Sequence, residues 1–184
     1  MSTPLRSALG ALLVVLIALA VLPGQAAAAQ CKGGDARPAK LSDKRASKAV
    51  LCLLNKERRS HGLRPLHRQR SQARAARKHN DTMVRSGCFS HECRGEEDLV
   101  GRLTDAGYLP CGCSWGVGEN IAWGSGSSGS PRDVVDSWMH SSGHRANILN
   151  GAYEHIGVAV ASGTPGAGRL RDGATYTTDF GSKR

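Results

Sequence analysis

Aromatic side chains are scarce in this chain, which has two Phe, three Tyr and three Trp among its 184 residues. None of them falls in the stretch between Lys56 and Lys78, where much of the positive charge is concentrated. Proteins that bind single-stranded nucleic acid interleave basic residues with rings on which the bases stack. The composition therefore argues against a nucleic acid partner.

Several signatures of catalysis are also missing. The chain contains no G-x-S-x-G nucleophile elbow. His140 and His144 have the spacing of a zincin motif, but Ser141 stands where that motif has its glutamate. Residues 124–129 spell G-x-G-x-x-G, yet Asn150 occupies the place of the acid that a dinucleotide site needs. We expect a flexible linker at 124–129, and a binding protein rather than an enzyme.

A long apolar run occurs only at the N-terminus. Arg6 precedes an apolar run over residues 8–22, and small residues follow at 26–29, a pattern typical of a secretory signal peptide over residues 1–29. The run is too short for a transmembrane helix. Gln30 stands where a lipoprotein signal needs a small residue before its cysteine. We expect a secreted, monomeric protein without a stable membrane anchor.

All six cysteines lie beyond the predicted signal peptide. An even number outside the cytoplasm indicates disulfide bonds, for which six cysteines allow 15 connectivities. Two of them, one residue apart, are too close to pair without strain, so we expect each to reach the nearest other cysteines in sequence. A structural zinc cluster is the alternative, but the spacing differs from that of zinc fingers. The six are Cys31, Cys52, Cys88, Cys93, Cys111 and Cys113, of which Cys111 and Cys113 are expected to reach Cys88 and Cys93.

The charge is strongly positive. Without Arg6 the chain keeps 24 basic and 15 acidic residues, a formal charge of +9. The basic residues either form a solvated helical face or attract anionic polymers and lipid head groups outside the cell. The sequence leaves both interpretations open.

The periodicity predicts helices first and strands later. A polar lead (residues 30–44) precedes one domain (residues 45–184). We predict helices from Ser42 to Gly62, then up to Gly87, and between Gly95 and Gly107. A buried strand is predicted from Trp115 to Trp123, and a helix that begins at Ser130-Pro131 and stops at Gly143. Strands over 156–160 and 175–180, separated by a loop over 167–173, complete an α+β or α-β-α arrangement.

Three polar residues stand out as a candidate site. His91, Glu119 and His144 come from separate segments, and two imidazoles with a carboxylate suit a zinc-like divalent ion or a metal-free hydrogen-bonded cluster. If the chain is an enzyme, Glu119 is the candidate catalytic residue, orienting or activating a metal-bound water for hydrolysis. A further alternative is a structural domain, in which Glu119 and the two histidines form a metal-free polar cluster and only satisfy one another.

The motifs resemble those of the CAP superfamily (cysteine-rich secretory proteins, antigen 5, pathogenesis-related 1), in its bacterial branch. The resemblance covers about residues 46–181 and implies a three-layer α-β-α sandwich with a small, mainly antiparallel central sheet and a central cleft. Its motifs are Phe89-Ser90-His91, Gly118-Glu119-Asn120-Ile121, Trp138-x-x-Ser141, Gly143-His144-Arg145-x-Asn147-Ile148-Leu149, Ile156-Gly157-Val158 and the segment from Tyr176 to Gly181.

The resemblance also implies a binding cleft. The family's tetrad of two His and two Glu falls on His91, Glu119 and His144, with Ser141 in place of the second glutamate, so any metal is expected to bind weakly. Asn120 and Ser141 complete the predicted cleft. Family members are associated with sterols, fatty acids and phospholipids, so we expect a lipid, a sterol or an anionic envelope polymer as partner.

Overall fold

A computed structural model describes residues 31–109, 114–166 and 172–184. Five α-helices and four strands lie in these ranges. They are α1 (Asp43–Ser60), β1 (His67–Arg68), α2 (Arg70–Ser86), α3 (Leu99–Asp105), β2 (Trp115–Ser125), α4 (Pro131–His140), α5 (Ser142–Ile148), β3 (His155–Ser162) and β4 (Gly173–Lys183). No helix in these ranges combines the length and apolarity needed to cross a membrane. The predicted signal peptide, residues 1–29, lies outside them.

The strands form one sheet in the order β1-β3-β4-β2. β1 is parallel to β3 over two residue pairs only. β4 is antiparallel to both β3 and β2 over much longer stretches. The predicted α+β class and mainly antiparallel sheet are confirmed, and β2 and β1 form the two edges.

One face of the sheet carries the main hydrophobic core. The apolar sides of α1 and α4 cover strand residues that alternate in β3 and β4, as period-two strands require. Trp138 of α4 is 1% exposed, and Phe180 of β4 is fully buried. Helices α2 and α3 cover the opposite face, where Ala75 and Leu103 pack together. Helices on both faces make the predicted three-layer sandwich.

The helix starts and stops follow local chemistry. Ser130 caps α4, because its Oγ accepts from the Asp133 amide at 3.2 Å and Pro131 occupies the first turn. α2 ends at Gly87, which adopts a φ of +72° that residues with a side chain rarely take. Both boundaries were predicted from the sequence.

Four details of the sequence prediction were wrong. Gly143 does not stop a helix, because it lies inside α5 without a positive φ. Trp123 is 48% exposed, since β2 is an edge strand rather than a buried one. Residues 126–129 form a 3₁₀ turn packed on Gly124 rather than a free linker. β1 was not predicted, because two residues show no period. The loop predicted over 167–173 lies mostly outside the described residues.

The disulfides join cysteines that are close in space. Cys31 bonds to Cys52 and fastens the predicted polar lead to α1. Cys88 bonds to Cys93, with Cα atoms 6.0 Å apart. The expectation that Cys88 and Cys93 pair with Cys111 and Cys113 was therefore wrong, because the tight turn after α2 brings Cys88 and Cys93 together. Cys111 and Cys113 lie outside the described residues.

Candidate functional site

Glu119 lies in the middle of the edge strand β2, and its side chain is only 2% exposed. Neighbouring strand residues point to opposite faces of a sheet. Glu119 therefore faces the α2 and α3 side, while Asn120 faces the α4 and α5 side. Asn120 donates to the His144 carbonyl at 3.0 Å and accepts from the Asn147 amide at 2.9 Å. The Glu-Asn pair thus connects the sheet edge to both helical layers.

Both oxygens of the Glu119 carboxylate are engaged. Its Oε2 accepts from Arg102 Nη2 at 2.7 Å, and its Oε1 lies 2.8 Å from His91 Nδ1. The buried His79 brings its Nε2 to 3.9 Å from Oε1. Burial alone raises the pKa of Glu119, but the hydrogen bond with His91 and the charge of Arg102 outweigh it and lower that pKa. Glu119 is therefore a buried, ionised carboxylate.

His91 supplies the exposed side of this pair. Its side chain is 58% exposed, on the loop closed by the Cys88–Cys93 disulfide. The hydrogen bond with Glu119 raises the pKa of His91 above its ordinary value, more than burial lowers it. An imidazolium donates from both ring nitrogens, so Nδ1 binds Glu119 while Nε2 is free to donate to a ligand. The Phe89 ring, two residues earlier, is 47% exposed.

His144 comes from the other side of β2. It lies in α5, and its ring centroid is 6.4 Å from that of Trp138. Burial and then the positive charge of His91 lower the pKa of His144. The surroundings therefore favour the cationic form of His91 and the neutral form of His144. Ser141 is the residue between α4 and α5, and its side chain makes no capping hydrogen bond.

Arg102 organises the site, although the sequence analysis did not single it out. Besides Glu119, its Nη1 donates to the His91 carbonyl at 2.9 Å and to the Glu97 carbonyl at 3.1 Å. One guanidinium thus fixes both the carboxylate and the backbone of its histidine partner. The only signal in the sequence is a charged residue next to Leu103 on the apolar stripe of α3.

Two buried polar residues, His79 and Asp179, lie near Glu119, and the half-buried Glu96 binds His79. His79 of α2 bonds through Nδ1 to Glu96 Oε1 at 2.7 Å. Glu96 also accepts from the Cys93 amide at 3.1 Å and so ties down the His91 loop. Asp179 of β4 is fully buried opposite Glu119, and burial followed by the charge of Glu119 raises its pKa well above the ordinary value.

The residues present do not fit a divalent metal in this arrangement. Glu119 would have to release Arg102 or His91 to become a ligand, and Ser141 stands where the resemblance places a second carboxylate. Among the described residues, no group of three or more His, Cys, Asp or Glu side chains is disposed to hold an ion. A weakly bound zinc-like ion stays a prediction, which elemental analysis would test.

The model of the cysteine-rich secretory protein family, CAP, matches residues 51–178. The chain belongs to the CAP family. Its CAP domain is 34% identical over 134 residues to the uncharacterized protein YkwD of Bacillus subtilis, covering 72% of this chain and 46% of that protein. It is also 34% identical over 113 residues to the uncharacterized membrane protein YlbC of the same organism, covering 61% of this chain and 31% of YlbC. The chain thus spans less than half the length of both relatives.

Solved structures show the same fold. An extracellular protein with an SCP domain from Bacillus anthracis superposes on this CAP domain with a TM-score of 0.57 and 26% identity, over 76% of this chain and 43% of that one. An outer surface protein of Borrelia burgdorferi gives a TM-score of 0.65 at 15% identity, over 78% of this chain and 97% of that one. The Borrelia burgdorferi protein shows the fold alone, whereas the Bacillus anthracis protein supports a bacterial branch of the CAP family and is consistent with an extracellular location.

Proposed function

We propose that this CAP domain is secreted and acts at the cell envelope as a binding module. In this proposal His91, Glu119, Asn120, Ser141 and His144 form the cleft, and the cleft takes a lipid, a sterol or an anionic envelope component. The observation that carries the proposal is the engagement of both Glu119 oxygens by Arg102 and His91. A carboxylate held in this way does not serve as a free general base, but it keeps an exposed cation in place.

The surroundings of the cleft favour a lipid with an anionic head group. Trp115, Glu119 and Trp123 lie four residues apart along β2, so the strand period sets them on one face. Trp115 is 46% exposed and Trp123 is 48% exposed, and Phe89 is exposed to a similar extent, at 47%. Rings of this kind contact apolar chains while tolerating water. An anionic head group would bind the His91 imidazolium, and the hydrocarbon part would contact the rings.

The same contacts disfavour the metal-assisted hydrolase. That mechanism needs Glu119 to orient or activate a water, whereas here the carboxylate is neutralised by Arg102 and His91. Within the described cleft, Ser141 adds a hydroxyl without a basic partner. Binding therefore accounts for the geometry with no further rearrangement.

Vesicle co-sedimentation of the purified protein tests the proposal. We expect retention on vesicles that contain phosphatidylglycerol, and weaker retention on phosphatidylcholine vesicles with or without a sterol. His91→Gln removes the cation and should reduce retention several-fold. His67→Gln is the matched control, because His67 is exposed on β1 at the other edge of the sheet. Equal retention of both variants, or none by the unmodified protein, would contradict the proposal.

A further inference from the structure

Two open cavities of about 430 Å³ each lie side by side along α1. The first is bounded by α1, β1, α2 and Val158 of β3, and the second by α1 with residues of the N-terminal lead. Lys48 lines both, so the two cavities are neighbours, and we call them together the basic groove. Its cationic residues are Lys32, Lys44, Arg45, Lys48, Arg68 and Arg77.

The sheet topology explains why the groove exists. β1 is only two residues long and pairs with His155 and Ile156, at the start of β3. β3 continues to Ser162 without that partner, which leaves a gap between α1 and α2. Val158 and the half-buried Leu51 line this gap. The groove thus has an apolar floor and cationic walls.

The charge of the groove is uncompensated. Among the described residues, no carboxylate lines either cavity. Within the part of the chain that the structure describes, none of the six cations takes part in an ion pair. Lys44 and Lys48 are one helical turn apart, a spacing at which like charges destabilise a helix. A bound anion would relieve this repulsion along the groove.

The shape and lining indicate which anion fits. The large exposed apolar side chains of the described residues, Phe89, Trp115 and Trp123, do not line the groove, so nothing there inserts into a bilayer. Of the residues that the structure describes, none with an aromatic ring lines the groove, so bases have no stacking partner among them. Its two neighbouring cavities, which share Lys48, suit an extended chain rather than one small ion.

A phosphate group matches the arrangement of the cations better than a carboxylate does. The walls come from separate elements, with lysines on α1 facing arginines on β1 and α2. Tetrahedral phosphate oxygens point in several directions and accept from cations on opposite walls, whereas a planar carboxylate matches a single arginine fork. We infer that the basic groove binds a linear polyol phosphate, a chain of polyol units that are joined by phosphodiester bonds and carry no nucleic acid bases.

This site is separate from the cleft of the proposed function. β1 and β2 are opposite edges of the sheet, so the groove lies at one edge and Glu119 at the other. The groove therefore gives the protein a second means of attachment, through envelope polymer rather than through lipid. The inference does not depend on what the cleft binds.

Titration of the purified protein with a synthetic poly(glycerol phosphate) oligomer, followed by calorimetry, tests the inference. Lys44→Glu combined with Lys48→Glu should weaken binding about tenfold or more, since each basic residue contributes substantially to attraction by anionic groups. Lys56→Glu combined with Arg59→Glu is the matched control. These residues are also exposed on α1 and change the net charge equally, but they line neither cavity. The control should change binding less than about twofold.

Each outcome decides the inference. A loss confined to the groove variant, with His91→Gln unchanged, supports it and shows independence from the cleft. Equal losses of affinity in both double variants would mean that binding depends only on net charge, and this would overturn the inference. Equal affinity for poly(glutamate), tighter binding of oligothymidylate, or binding to anionic vesicles without binding to the polymer would each overturn the assigned chemistry. Circular dichroism of both double variants verifies that they fold.

Discussion

Asp179 lies directly opposite Glu119 in the β2–β4 ladder, so two carboxyl groups share one buried face of the sheet. Their surroundings separate their pKa values, because Arg102 and His91 contact Glu119 whereas no donor among the described residues contacts either oxygen of Asp179. Glu119 keeps its charge and Asp179 keeps its proton. The protonated carboxyl is then the donor that can face the carboxylate across the ladder.

Replacing Asp179 by Asn should change the pH dependence of stability. Because the folded pKa of Asp179 is raised above its ordinary value of 3.8, the stability that its protonated form contributes is full at low pH and is lost as pH rises. Asparagine does not titrate, so the variant does not lose stability in this way. Between about pH 4 and pH 7, the free energy of unfolding of the variant should therefore increase relative to that of the unmodified protein, by about 1.4 kcal/mol per unit of pKa shift.

Urea denaturation at several pH values measures this difference. Asp105→Asn serves as the control, because Asp105 is exposed at the end of α3. Parallel curves for the Asp179 variant and the unmodified protein across this range would show that Asp179 ionises normally.

Arg102→Met should destabilise the fold by about 3–5 kcal/mol, since it leaves a buried carboxylate with one cation fewer. The double variant Arg102→Met with Glu119→Gln removes the stranded charge and should recover much of the loss. Chemical denaturation of both variants measures the effect. Arg94→Met, at an exposed position on the same loop system, should change the stability by less than about 0.5 kcal/mol. A double variant no more stable than Arg102→Met would be evidence against the ion pair.

The two cleft histidines should titrate on opposite sides of the ordinary value of 6.5. The pair of His91 with Glu119 raises the folded pKa of His91, so its stabilisation is full below about pH 6.5 and is lost as pH rises through the folded pKa. Burial and the charge of His91 lower the pKa of His144. NMR titration of the ring protons reads both values directly.

Glu119→Gln provides the control for that titration. It removes the partner charge, so the pKa of His91 should fall toward 6.5 and that of His144 should rise as His91 loses its proton more readily. An unchanged His91 pKa in this variant would mean that the hydrogen bond seen at 2.8 Å does not control its protonation.

Gly157→Ala should be strongly destabilising. A Cβ atom at this position of β3 would collide with the backbone of Gln72 and Ala73, so α2 could not approach the sheet. We expect a loss of about 3 kcal/mol or more, at the upper end for overpacking, because backbone rather than a side chain must move. Thermal denaturation measures it.

Gly143→Ala is the matched control for that substitution. Gly143 lies in α5, where an added Cβ meets nothing within 4 Å. Alanine in a helix is more favourable than glycine by up to about 1 kcal/mol. This variant should therefore be as stable as the unmodified protein or slightly more so, and a large loss in it would contradict the helical assignment.

The fold was predictable where the local sequence pattern itself indicates the secondary structure. Alternation at Ile156, Val158 and Val160 indicated β3, and Ser130 with Pro131 marked the start of α4. The motif order added the three-layer architecture. Boundaries set by tertiary contacts were missed, such as the helix through Gly143.

The candidate site was predictable only in part. Motif positions singled out His91, Glu119 and His144, but nothing in the sequence says that Arg102 is buried against Glu119. A charged residue is expected to be exposed unless its partner is known, and Glu119, the partner of Arg102, lies 17 residues away in the sequence. Asp179 is a similar case, because its burial follows from the pairing of β4 with β2. The chemistry of the cleft is therefore a property of strand and helix placement rather than of a local motif.

The outer edge of β2 is closed to a further strand. The carbonyls of Glu119 and Ile121 accept from Asn147 Nδ2 and Trp138 Nε1, both at 3.1 Å, so α4 and α5 occupy acceptors that an incoming strand would use. Exposed sheet edges invite a second chain to add on and to aggregate. Blocking these acceptors keeps an eleven-residue strand from acting as a template for self-association, which would matter most outside the cell, where the proposed function places the protein beyond the reach of cytoplasmic chaperones.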